Sequence, residues 1–234
     1  MDGSPPPNQK NPYVVCNGIR FPKDGHFITG RIRGALRKNA YEAKETEAVL
    51  RVVREGDTVI ELGAGIGYMS SLIASKRKVT AVHSFEANPA LIPYIQSVHA
   101  ANELDNCHIT HAILGARKGR ADFYARANVL SSSLSPLEGD TPEKVQKVSV
   151  DVLNAKQTFR DTGANVLVCD IEGAEADLLP ALDLSKLRAA VIELHPQIVG
   201  PEGINKVFRA MMDGGLAYYA RGSTNKVVSF RRAW

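Results

Sequence analysis

Paired cysteines are missing from this chain. Cys16, Cys107 and Cys169 stand far apart, with no C-x-x-C spacing, so neither a zinc site nor a disulfide framework is supported. No apolar run reaches the roughly 18 residues of a membrane span, and the first residues lack a secretion signal's charged-then-apolar pattern. The expectation is a soluble, cytoplasmic protein with no membrane partner. Internal repeats are absent. Strong net charge is absent too: +4 over 234 residues is mild, and nucleic acid calls for a concentrated basic face or arm. The best basic cluster is Arg31, Arg33, Arg37 and Lys38. It reads as a solvated helix face, or as a contact for an acidic substrate or an adenosine, and no nucleic-acid partner is expected.

What is present is apolar content of 44%, enough for one α/β domain with a full core and a small cap. Residues 1–12 are rich in Pro, Gly and Asn and read as a disordered lead. Residues 13–55 read as an N-terminal cap and helix: short apolar stretches alternate with Asn17-Gly18 and Asp24-Gly25, then a helical pattern from Tyr41 to Val53 stops at Gly56. From 56 to 234 strands (58–62, 79–85, 107–113, 165–170, 189–194) alternate with helices (66–75, 89–102, 174–181, 203–213). That alternation predicts a doubly wound, Rossmann-like, mostly parallel seven-stranded sheet, closed by an antiparallel hairpin of 216–220 and 227–230. Residues 119–150 break the rhythm. Ala121–Tyr124 reads as a short strand, and 128–142 as a loop long enough to serve a ligand.

The run from Val59 to Tyr68 is the most informative stretch. An apolar strand ends in Glu61, then turns through Gly63, Gly65 and Gly67 into a helix. Glycines let the backbone turn sharply and let a ligand approach, and the helix points free N–H groups back at the turn. A dinucleotide site wants a small residue where Tyr68 stands. The G-x-G-x-G form instead resembles the first motif of class I S-adenosylmethionine-dependent methyltransferases. At the next strand end, Glu86 is placed to accept bonds from both ribose hydroxyls.

Ligands on such sheets bind beyond the carboxyl ends of the strands. Asp170, Glu172 and Glu175 follow the fourth strand, and Glu193 and His195 the fifth. His195 is a candidate general base, with Asp170 and Glu172 beside it, because an imidazole can take a hydroxyl proton near neutral pH. Glu175 and Glu193 are candidate acceptor contacts, though Glu175 also suits a helix N-terminus. Ser131, Ser132 and Ser133 offer hydroxyls for an acceptor.

Taken together, Glu61–Gly67, Phe85-Glu86-Ala87-Asn88-Pro89, Ser131–Leu134, Asp170–Glu175 and Ile192–Pro196 resemble the FkbM family of methyltransferases, over about residues 41–230, with Tyr41-Glu42 similar as well. The resemblance implies S-adenosylmethionine as cofactor and O-methylation of a natural product or saccharide. It places Tyr41, Glu61, Gly63, Gly65, Gly67, Tyr68, Glu86, Ala87, Asn88, Ala112 and Asp170 at the cofactor; His111 departs from the expected small polar residue. The absence of an Asn/Asp-Pro-Pro-aromatic segment counts against a base or amide nitrogen as acceptor. No metal ligand is assigned. Two other readings stand beside this one: a metal-assisted transfer through Asp170, Glu172, Glu193 and His195, and a nucleotide-binding protein without turnover.

Overall fold

Asn17 and Gly18 both take positive φ (49° and 85°), the two-residue turn that matches the twist of a hairpin. A computed structural model describes residues 11–126, 141, 143 and 145–233. Most of the expected lead and the serine loop, with Ser131, Ser132 and Ser133, lie outside the described residues. The turn joins β1 (Tyr13–Cys16) to β2 (Ile19–Pro22), and β1 packs against α1 (Gly30–Arg37), which is followed by α2 (Ala43–Val52). Both helices are amphipathic: α1 buries Ile32 and Leu36, one turn apart, and α2 buries Ala48, Val49 and Val52.

The alternating unit then runs β3 (Thr58–Leu62), α3 (Tyr68–Arg77), β4 (Ala81–Glu86), α4 (Leu91–Ala101) and β5 (Cys107–His111). A side excursion follows: β6 (Ile113–Gly115), β7 (Gly119–Arg126) and β8 (Val145–Asn154). The chain returns through α5 (Ala155–Thr162), β9 (Val166–Cys169), α6 (Glu175–Leu178), β10 (Ala189–Glu193), α7 (Pro196–Asp213), β11 (Ala217–Tyr218) and β12 (Val227–Arg231). The main sheet has seven strands in the order β11-β12-β10-β9-β3-β4-β5. Its first five strands in sequence pair in parallel, and β12 runs antiparallel between β10 and β11. This is the expected sheet and closing hairpin.

Every residue of β9 is buried, as suits a central strand covered on both faces. Alternate side chains feed two cores. Val59, Val82, Val166, Val168 and Val191 pack toward α2, α3, α4 and the N-terminal hairpin; Ile60, Leu62, Leu167, Cys169 and Ile192 pack toward the α7 side with Val207, Met211 and Phe230. Among the described residues no helix is long and apolar enough to cross a membrane.

Three elements depart from the sequence pattern. The single strand expected over 107–113 is two, because β6 leaves the main sheet to pair with Val152–Asn154 of β8 in a three-stranded sheet, order β6-β8-β7. The helix expected at 203 starts at Pro196 and kinks at Gly200 (φ 63°) ahead of Pro201, whose ring cannot continue the preceding turn. The helix expected over 174–181 keeps only four α-helical residues before a tighter turn at Leu179–Ala181, which contains Pro180.

At the end of the sheet away from the glycine turn, buried Asp57 gathers the strand starts. Its carboxylate pairs with Arg188, and accepts from Asn165 Nδ2 at 3.0 Å and from the Arg54 N–H at 2.7 Å. Asn165 in turn accepts from the Thr58 N–H at 3.0 Å. Asp57→Ala would strand the guanidinium and the amide, and the expected loss is about 3–5 kcal/mol. Urea denaturation measures it; a loss below about 1 kcal/mol would show the network to be dispensable.

Candidate active site

The turn after β3 carries positive φ at Gly63, Gly65 and Gly67 (82°, 54° and 75°). Each has its own reason. A Cβ on Gly63 would overlap the carbonyl oxygen of Asp170, so the turn lies against the end of β9. A Cβ on Gly67, the N-cap of α3, would press on Ile95 at 3.0 Å. The Gly65 N–H donates to Glu86 Oε2 at 3.0 Å, and the Asn88 N–H to Glu86 Oε1 at 2.8 Å. Glu86 thereby braces the turn, and burial lifts its carboxyl above the ordinary range.

Beyond these strand ends opens a cavity of about 350 Å³. Of the expected cofactor residues, Tyr41, Glu61, Gly63, Gly65, Glu86, Ala87, Ala112 and Asp170 line it. Three do not. Tyr68 is 1% exposed, packed on Phe21 and Tyr41, and its hydroxyl accepts from Asn17 and bonds Thr46, so it holds the cap onto α3. Gly67 serves helix packing. Asn88 is buried, its N–H donating to Glu86 and its Oδ1 accepting from the Ala90 N–H; it steadies Glu86 from behind.

Sequence reasoning missed Glu42 and Glu45 as wall residues, and the apolar wall of Leu114 and Phe123 supplied by the small sheet. Glu42 bears one signal visible only in the backbone: a left-handed conformation (φ 44°) in a non-glycine residue, strain that persists where the surroundings over-determine it.

Glu61 is 1% exposed. Its Oε1 accepts from the Ser70 N–H at 3.0 Å, while its Oε2 has no hydrogen-bond partner among the described residues. Burial pushes this carboxyl up to about 7. An unpartnered buried carboxylate oxygen is costly, and protonation at the raised pKa lessens the cost. With Glu42, Glu45 and Asp170 also on the wall, the donor set suits a cationic, hydroxyl-bearing ligand. These residues fit S-adenosylmethionine.

The strand-end acids converge as the sequence suggested, in two layers. Asp170, Glu172 and Glu193 line the cavity. Burial and the Glu193 charge push the Asp170 carboxyl up to about 8, and burial raises those of Glu172 and Glu193. His195 and Glu175 sit behind them, 4% and 0% exposed. Glu175 Oε1 lies 3.1 Å from His195 Nδ1 and accepts from the His195 N–H at 3.2 Å, and its Oε2 accepts from the Gly173 N–H at 2.9 Å. His195 Nε2 then faces Glu172 Oε2 at 3.3 Å and Asp170 Oδ1 at 3.6 Å. Burial opposes a charge on this ring, but the bond to Glu175 and the charges of Asp170 and Glu172 outweigh it and lift it to about 9.

His195 and Glu175 are thus buried away from the cavity wall, while Asp170, Glu172 and Glu193 stand on it. The atoms that Asp170, Glu193 and His195 could offer a cation lie within 4.8 Å of one another.

The model of the TRM5/TYW2 methyltransferase domain family matches residues 38–122. That segment holds the glycine turn and Glu86, and the match overturns the resemblance to the FkbM family. A comparison with curated proteins finds no match. Among solved structures, a transferase of Pyrococcus horikoshii superposes with a TM-score of 0.51 at 15% identity, covering 93% of this chain and 70% of that one. TYW2 of M. jannaschii, in complex with AdoMet, gives 0.50 at 15% identity, covering 97% and 89%. Trm5b of Pyrococcus abyssi gives 0.50 at 15%, covering 94% of this chain and 55% of its own. At such identity the likeness establishes the fold.

Removing the Glu86 carboxylate should unbrace the turn and remove a charged acceptor from the cofactor. Glu86→Ala is expected to weaken S-adenosylmethionine binding by about 1.5–3 kcal/mol. Calorimetry showing unchanged affinity would take Glu86 out of the site.

Proposed function

We propose that this protein, an S-adenosylmethionine-dependent methyltransferase, transfers the methyl group to a transfer RNA. The observation that carries the reading is the match of residues 38–122 to the TRM5/TYW2 domain, a tRNA methyltransferase family. The same match corrects the expectation of a small-molecule or saccharide acceptor with no nucleic acid, and sets aside a binding protein without turnover.

The bound cofactor supplies an electrophilic methyl on a sulfonium. The chain's own contribution is positional and electrostatic. Glu86 and the glycine turn would hold the ribose end, and the walls of Leu114 and Phe123 would keep water away. An acceptor atom that carries a proton must lose it during attack. Asp170 is the group on the wall placed to take it, with Glu172 beside it. His195, clamped by Glu175, positions both carboxylates from behind.

The sign of the pH dependence follows. Asp170, pushed up to about 8, gains its basic form as pH rises, so kcat should climb between pH 6 and 9. Asp170→Asn should flatten that profile and lower kcat by roughly 100- to 10,000-fold. A flat wild-type profile would exclude Asp170 as the base. The acceptor is tested by incubating the protein with methyl-labelled S-adenosylmethionine and an unmodified tRNA transcript, then digesting to nucleosides. One labelled methyl nucleoside is expected; an exhaustive reaction leaving the tRNA unlabelled overturns the acceptor assignment.

The 4.8 Å grouping of Asp170, Glu193 and His195 favours a second reading, in which a divalent cation joins these ligands and helps to orient the acceptor. Activity lost on exhaustive chelation and restored by magnesium or manganese supports it; activity that survives chelation excludes an essential ion.

A further inference from the structure

We propose that the outward face of α1 is a docking surface for the phosphate backbone of the RNA acceptor, holding it beside the cleft while a nucleotide enters. The inference rests on the RNA-acceptor reading and adds where the RNA is gripped.

Residues 25–41 contain Arg31, Arg33, Arg37 and Lys38 and no acid. Ile32 and Leu36 turn inward, so the four cations fall on the other sides of the helix, with Arg31, Arg37 and Lys38 exposed and Arg33 half-buried. Among the described residues none of the four side chains makes a hydrogen bond or an ion pair. Some other cations are paired, although Lys76, Lys78, Arg117 and Lys118 likewise have no partner among the described residues. In the small sheet Arg120 pairs with Asp151 at 3.4 Å and Lys147 with Asp122 at 2.8 Å; elsewhere Arg20 meets Glu103 and Arg51 meets Glu47. Their charge is answered within the protein. That of α1 is not, and an unanswered cluster of arginines suits phosphate, which a guanidinium can grip with two bonds.

Position supports the same occupant. From Arg31 to Lys38 the charges spread over about 10 Å of helix. Four residues beyond Lys38 the chain reaches Glu42 on the cavity wall, so the near end of the patch lies within about 14 Å of the cleft. The cleft is lined by Glu42, Glu45, Asp170, Glu172 and Glu193 and, among the described residues, by no Lys, Arg or His, so it offers a phosphate no counter-charge. A polyanion finds that counter-charge on α1 instead, and an uncharged base is the part of it suited to the cavity.

The test measures binding of an unmodified tRNA transcript to the full chain by fluorescence anisotropy across a salt series. Arg31→Gln/Arg37→Gln/Lys38→Gln should weaken binding by roughly 10-fold or more at low salt. It should also flatten the slope of log affinity against log salt by about 2–3, with S-adenosylmethionine affinity unchanged. The control Arg120→Gln/Lys147→Gln, in cations already paired, should leave the slope as it was. If the triple variant fails to fold, the single variants Arg31→Gln and Lys38→Gln, each expected to flatten the slope by about 1, carry the test. Wild-type affinity and slope in the α1 variants, or equal flattening in the control, overturn the docking surface while leaving the RNA acceptor standing. A wild-type protein that does not bind tRNA at any salt removes the acceptor reading itself.

Discussion

Three strand ends are fastened into one platform, and the site is built on it. The Gly63 N–H donates to the Phe85 carbonyl at 3.0 Å and the Asp170 N–H to the Leu62 carbonyl at 2.9 Å, so the ends of β3, β4 and β9 are tied by backbone alone. Gly63 lies so close to the Asp170 carbonyl that no side chain fits between them. The turn that would hold the cofactor and the carboxylate that would face the acceptor are thus separated by one backbone contact. A fixed distance between donor and acceptor is what methyl transfer asks of a protein, since the protein does little covalent work in it. Any Cβ at position 63 would move these two groups apart.

That closeness has an electrostatic cost. Glu42, Glu45, Glu61, Asp170, Glu172 and Glu193 share one cavity wall, and burial first, with neighbouring charges behind it, raises the carboxyls of Glu42, Glu61, Asp170, Glu172 and Glu193. The protein answers with one buried cation, His195, kept charged by Glu175. The geometry gives the pair a clear division of labour. Glu175 uses its oxygens on the His195 ring, the His195 N–H and the Gly173 N–H, which also steadies the strained Glu172 (φ 51°) beside it. Where the carboxyls on the wall ionise, their charge faces the cavity, and a sulfonium there would relieve it. Such a site disfavours an anionic ligand and favours a cationic one without any single strong contact.

Much of this was legible in the chain. The alternation of buried runs pointed to a parallel core, and the glycine turn with Glu86 pointed to the strand ends where the cavity opens, because each depends on local backbone demands that residue types reveal. Other features were not local. Ala112 marks the point where β6 abandons the main sheet, and nothing in 107–113 says so; the cause is its partner strand β8, some 40 residues later. Tyr68 looked like a cofactor residue from its place in the motif, yet its hydroxyl is committed to Asn17 and Thr46 in the cap. His195 reads as an isolated imidazole in the sequence, and its buried partner Glu175, twenty residues earlier, shows only in the fold.

The acceptor was the hardest matter to read, for a physical reason. Strand-end acids report how a proton and a sulfonium are handled, and both a hydroxyl and a base nitrogen need that handling. The Asp170–Glu175 motif therefore speaks to chemistry and is silent about the molecule that undergoes it. Net charge is equally blunt. A total of +4 averages a carboxylate-lined cavity with an unpaired cationic helix whose nearest end is four residues from its wall. Charges that nearly cancel in the sum do not cancel in space: at separations near the Debye length of about 8 Å each patch still acts on what approaches it. A ligand with a neutral head on an anionic backbone senses that segregation as a direction of entry, and a count of lysines and glutamates cannot express it.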